Sequence, residues 1–290
     1  MDSYSVISNN RSILGESPVW DEKLQRIYWV DIEGKCLHAW SYIENKKLIW
    51  NFDHRLCAIS LTNQNNILLC AFDTFFSFFD TTNHIIKKLD KQVTLPSKVR
   101  FNDGKTDGYG RFWCGSMSES NPSKSCAAIY MLDRKQEIHE VIKGIHISNS
   151  ITASFDNKNF YYADTYKKLI YKTSLYKKKP YIKNTNIFID NSNVSGFPDG
   201  STVDSNNTLW NAEWNGGQIA QYDKNGKIIS KIKTPMKKPT CVAFGGPNMN
   251  KLFITSAKDI NSNEDDTSGK TICIQMNVKG QLSNRYILNL

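Results

Sequence analysis

A chain of 290 residues, 40% hydrophobic and 12% aromatic, is long enough to bury a sizeable core in one domain or two. Its net charge of +9 gathers in separate runs, "IIKKLDKQ" at 85–92, "KKKP" at 177–180 and "KIKTPMKKP" at 231–239; none is interleaved with aromatics, so they read as solvated loops and strand edges and argue against nucleic-acid binding. Seven cysteines without a CxxC pair, no basic-then-apolar leader and no apolar run of spanning length predict a soluble, cytoplasmic protein with reduced thiols and no membrane partner.

The first strand-like stretch, "YSVIS", stands alone. After it one unit recurs: a strand, a turn rich in Asp, Asn and Gly, then an aromatic strand. It reads "SPVWDEKLQRIYWVD", "AISLTNQNNILLCA", "NDGKTDGYGRFWCGSM", "NSITASFDNKNFYYAD", "DGSTVDSNNTLWNAE" and, more weakly, "CVAFGGPNMNKLFITSA". The six units follow one another at roughly 45 residues, about the length of a four-stranded blade. Aromatic and β-branched residues in short alternating runs favour strands, and helical periodicity is scarce. The fold class predicted is therefore all-β: a six-bladed β-propeller of four-stranded antiparallel blades around a central channel, spanning residues 1–290 as one domain. "YSVIS" is expected to pair with the last blade and close the ring.

In a propeller the innermost strand of each blade lines the channel, so residues at the mouths of those strands meet around the axis. Aligning the units places Glu16, Asn102, Asn149 and Asp199 at corresponding positions, with Leu56 and Val242 at that position in the second and sixth blades. Two carboxylates and two amides converging from separate strands form a hard-oxygen site for Ca²⁺, Mn²⁺ or Mg²⁺, or for Zn²⁺ bound through oxygen. Crowding Glu16 against Asp199 without a cation would raise one pKa; a divalent ion removes that cost. Too few protein oxygens are present to saturate calcium, which leaves positions for water and a substrate oxygen. A structural channel ion, or Asx turns at the strand mouths, fits the same spacing. Arg100, two residues before Asn102, shares its face of an extended strand and offers a fork suited to a carboxylate or paired hydroxyls. A nucleophile elbow, a phosphate loop and a dinucleotide fingerprint are all missing from the sequence. The five histidines show no ligand spacing, and His146 reads as a loop or packing residue.

"LGESPVWD", "RFNDGKTDGYGRFWCGSM", "SNSITASFDNKNFYYADT", "FPDGSTVDSNNTLWNAEWNGG" and "CVAFGGPNMNKLFITSA" resemble, in order, the signatures of the SMP-30/gluconolactonase/regucalcin-like family, from about residue 11 to 260. The resemblance implies a metal-dependent hydrolase that opens the ester bond of a sugar lactone. It places the metal ligands on Glu16, Asn149 and Asp199, the general base on Asp199, and substrate contacts on Arg100, Asn102 and Glu119. The cofactor implied is one divalent cation and the partner a small sugar lactone, with the protein a monomer or weak homo-oligomer. Two positions depart from the family pattern: Ser120 replaces the second of two adjacent acids, and Ser150 stands where glycine commonly follows the metal-binding asparagine. A calcium-binding regulatory propeller without turnover, and a hydrolase of another ester or a phosphotriester, are the alternative functions.

Overall fold

The computed structural model describes residues 3–178, 182–259 and 267–288, so Lys179 and Pro180 of the "KKKP" run lie outside the described residues. Six four-stranded antiparallel sheets form the blades of a six-bladed propeller. The innermost strands are Gly15–Asp21, Leu56–Leu61, Val99–Thr106, Ser148–Ala153, Phe197–Val203 and Pro239–Gly245. In the first five blades the strands follow outward in chain order. In the sixth, Pro239–Gly245, Lys251–Ser256 and Thr271–Gln275 are completed by Tyr4–Ser8, which pairs with Thr271–Gln275 and closes the ring as expected. The described helix content is one 3₁₀ turn, Thr165–Lys167, and no described helix is long and apolar enough to cross a membrane.

Burial falls from the axis outward. Leu56–Leu61, Ser148–Ala153 and Pro239–Gly245 are buried throughout, whereas the outermost strands Ile85–Lys88 and Ile228–Lys233 are almost wholly exposed. Two of the lysine runs thus sit on or beside outer strands, where charge discourages edge-to-edge pairing. Buried aromatic rings join one blade to the next: Phe76 packs on Phe101 at 4.4 Å, Trp113 on Phe160 at 4.4 Å, and Trp20 on Phe253 at 5.7 Å across the closing seam. The repeated turn has its own chemistry. Asp107 accepts a hydrogen bond from Trp113 Nε1 at 2.8 Å, and Asp204 does the same for Trp210 at 3.0 Å, so an aspartate in the turn holds the buried indole six positions later in two blades. All seven cysteines are free thiols.

The segment after the last blade was not anticipated. Residues 280–288 run across the face where the innermost strands end. Gly280 bridges Asp204, Arg285 pairs with Asp21 and Glu22, Tyr286 bridges Thr62, and the Ile287 N–H donates to Gly110 O. Tyr286 is fully buried and its hydroxyl donates to Asp133 O at 2.6 Å. Tyr286→Ala should cost about 3–5 kcal/mol in urea unfolding, while Tyr286→Phe, which only frees the Asp133 carbonyl, should cost about 1 kcal/mol. Equal losses would show that the strap is held by its hydroxyl rather than its packing.

Candidate metal and substrate site

The innermost strands share a register shift close to their mouths. In blade 1 it falls between Glu16, opposite Val30, and Val19, opposite Tyr28; in blade 4 it falls between Asn149, opposite Ala163, and Thr152, opposite Tyr161. In blades 3 and 5 the residues paired just before the shift are Phe101 and Pro198. Glu16 and Asn149 are therefore strict equivalents, but Asn102 and Asp199 stand one residue later, as counterparts of Ser17 and Ser150. The sequence alignment is corrected here: a bulge sets two residues against one and re-aims side chains that strict alternation would send elsewhere. Val242 is corrected as well. It lies beyond the shift, and the blade 6 counterpart of Asp199 is Thr240, whose hydroxyl donates to Gly15 O.

Arg100, Asn102 and Asn149 form a connected chain. Arg100 Nη1 donates to Asn102 Oδ1 at 2.8 Å, and Asn102 Nδ2 to Asn149 Oδ1 at 2.8 Å. Asn149 Nδ2 in turn donates to Thr165 Oγ1 at 2.9 Å, and that hydroxyl to Pro198 O at 2.7 Å, beside Asp199. Glu119 stands over this chain, with Oε1 3.7 Å from Arg100 Nε. Glu16 and Asp199 are buried, and the Glu16 carboxylate accepts the Ser17 N–H at 2.9 Å. No side chain among the described residues donates to Asp199's carboxylate; a backbone bond from Gly200 is its support. Gly200 itself allows the close approach of blades 5 and 6, since a Cβ there would lie 2.2 Å from Cys241 Sγ.

Asp103 is a third buried acid that the spacing argument passed over. One of its oxygens accepts the Ile151 N–H at 2.8 Å. Burial, followed by the charge of Asp103, pushes Glu16 up to about 8. Burial, then Glu16, then Asp103 raise Asp199 well above the carboxylate range. Burial raises Asp103 too, opposed chiefly by Lys105, whose ammonium donates to Ser201 O at 2.6 Å. The donor set fits a hard divalent cation: buried, under-coordinated carboxylate oxygens with an amide alongside, and too little positive charge nearby to keep all three acids ionised.

Ser150, the departure from the glycine pattern, has φ 56°. A side chain in this left-handed region costs roughly 1–2 kcal/mol, and hydrogen bonding offsets it. Ser150 Oγ donates to Asp199 O at 2.5 Å and accepts from Asn211 Nδ2 at 2.9 Å, which ties blade 4 to the backbone of Asp199. Ser120 is exposed on the rim.

Two other features near the strand mouths are accounted for by local structure. His146 Nδ1 lies 2.8 Å from Asp164 Oδ2 and its ring stacks on Tyr166, the packing role expected. Asp31, Cys36 and His38 place ligand atoms within 4.8 Å of one another, a grouping that the chain spacing had not suggested. Asp31 is already engaged there, accepting the Ile13, Leu14 and Gly34 N–H groups. It caps the loop into blade 1 as Asp164 caps the loop into blade 4, and Cys36 Sγ sits 3.2 Å from His38 Nε2. Burial raises the Cys36 thiol to about 11 and lowers His38.

Known proteins share this architecture. A calcium-binding protein, regucalcin, from Agrobacterium tumefaciens superposes with a TM-score of 0.90 at 26% identity, covering 98% of this chain and 97% of that one. Regucalcin of Danio rerio is 31% identical over 261 residues, 89% of this chain and 88% of the relative. L-arabinolactonase of Azospirillum brasilense is 29% identical over 257 residues, 88% of this chain and 84% of the relative. The family model described as the SMP-30/gluconolactonase/LRE-like region matches residues 14–258. With that match covering five blades whole and the inner two strands of the sixth, the chain belongs to the SMP-30/gluconolactonase/LRE-like family.

Proposed function

We propose that the chain, acting as one propeller domain, is a divalent-metal-dependent hydrolase that opens the ester bond of a sugar lactone to give the aldonic acid. The observation that carries this reading is the pairing of two neighbouring devices at one channel mouth. Glu16, Asn149 and Asp199 offer oxygens to a cation, and the Arg100–Asn102 pair offers polar groups that no cation needs. The lactonase names of relatives such as the L-arabinolactonase support the substrate class.

Glu16, Asn149 and Asp199 would hold the ion. A bound divalent cation would offset the buried negative charge, keep Asp199 ionised and polarise the lactone carbonyl. Arg100 and Asn102 then orient the ring hydroxyls, which fixes the carbonyl carbon relative to Asp199. Asp199 takes a proton from the attacking water as its oxygen bonds to the carbonyl carbon. The ring C–O bond breaks, and the proton passes to the departing ring oxygen, which becomes the hydroxyl of the open acid. Burial around the carboxylates excludes bulk water and strengthens each of these interactions.

The test is a metal-stripped sample assayed for acid release on a panel of sugar lactones as Ca²⁺, Mn²⁺, Zn²⁺ and Mg²⁺ are restored singly. Turnover should be near background without metal and rise by orders of magnitude with at least one ion. Tight calcium binding with no turnover on any lactone would support the regulatory reading instead. Hydrolysis of simple esters or phosphotriesters alone would move the substrate class.

A further inference from the structure

At the channel mouth Arg55 directly precedes the innermost strand of blade 2. Its guanidinium meets Glu119 of blade 3 with two parallel bonds, Nη1 to Oε1 at 2.5 Å and Nη2 to Oε2 at 3.0 Å. Such a fork fixes a carboxylate in both position and plane. Glu119 also has its backbone N–H held by Lys98 O at 2.9 Å, and Arg100 Nε stands 3.7 Å from the shared oxygen. A continuous line of polar contacts thus runs from the rim to the buried amides of the site: Arg55, Glu119, Arg100, Asn102, Asn149. Arg55 holds the Glu119 carboxylate below its usual range, so it is ionised and only accepts hydrogen bonds. The Glu119 side chain keeps 34% of its surface open and has lone pairs that Arg55 does not use.

The surrounding charge tells what should bind there. Arg55 is also 3.5 Å from Glu33 and 3.9 Å from Asp73, so three carboxylates face the guanidiniums of Arg55 and Arg100. An anionic substituent would meet excess negative charge, while a neutral hydroxyl would meet a fixed acceptor. Resting on the lactonase reading, we propose that Arg55 is the positioning residue that holds Glu119 as a hydroxyl acceptor, selecting neutral polyhydroxy lactones. Glu119 then supplies the acidic contact that Ser120 cannot.

The experiment uses the metal-restored protein and the neutral lactone that it turns over fastest, with Arg55→Ala, Arg55→Lys, Glu119→Ala and the double variant Arg55→Ala/Glu119→Ala. Arg55→Ala should raise KM about tenfold, the worth of one charge-assisted contact, with kcat within about threefold. Lysine should recover only part, because it lacks the fork. The double variant should be no worse than Glu119→Ala alone, since the two residues act as one unit. Calcium affinity should match the wild type in all four. A KM unchanged in Arg55→Ala, or additive losses in the double variant, overturns the inference and leaves the lactonase reading standing. A wild type that hydrolyses no lactone overturns both.

Discussion

Asp199→Asn should lower kcat by at least about a thousandfold, within the range expected when a general base is lost, while circular dichroism and the melting transition of the metal-free protein stay near wild type. The asymmetry follows from where the side chain sits. An amide keeps the shape and can still accept the Gly200 N–H, but it can neither take a proton nor offer a charged oxygen to a cation. In metal-free protein the substitution also removes one of three crowded buried acids, so the melting temperature should hold or rise slightly. Metal should no longer raise it to the wild-type extent. Full retained activity would show that the proton is taken elsewhere, and a collapsed fold would show that Asp199 is needed for architecture.

The second large effect is on stability. Without metal, the protein should lose stability as pH rises from the ordinary carboxylate range, about 4–4.5, through the neighbourhood of 8. Glu16 ionises in the native state only at about 8, and Asp199 and Asp103 are raised as well. Between the unfolded and folded pKa values the native state therefore holds more protons than the unfolded chain, and stability falls with pH. The acids with depressed pKa, among them Glu119 and Asp133, work in the other direction and lower down, losing their contribution only as pH falls below the ordinary range. A divalent ion at 100 times its Kd should add about 2.7 kcal/mol, or roughly 4–5 °C for a domain of this size, with the largest gain at the alkaline end. Melts of stripped protein at pH 5.5 and 8.5, with and without each cation, decide the matter. Flat metal-free curves, or a Glu16→Gln variant with the same slope as wild type, would remove these acids from the explanation.

The propeller was legible in the chain because four of the six blades repeat the same solution: an aspartate in a turn, an aromatic strand after it, and a polar residue at the mouth of the strand before. Asp107 with Trp113 and Asp204 with Trp210 show why that pattern persists. Glu16, Asn102, Asn149 and Asp199 could be found from spacing alone, although Asn102 and Asp199 are offset by one residue from the other two. Asp103 escaped because a bulge breaks the alternation that assigns side chains to faces. Arg55 escaped for another reason. Its significance lies in a contact with Glu119, 64 positions away, and neither residue stands at a repeat position. The strap at 280–288 carries no repeat at all, and its register is set by partners in several blades.

The ring is completed by Tyr4–Ser8, the earliest described strand, lying against Thr271–Gln275, among the latest. During synthesis a nascent chain can assemble its early blades one after another while Trp20 waits for Phe253 to arrive and cover it. The arc stays open, with an apolar flank facing solvent, until Lys251–Ser256 and Thr271–Gln275 are free to pair. Fastening the circle pairs strands far apart in the chain, with Ser8 against Thr271, and so should be the slow step of folding.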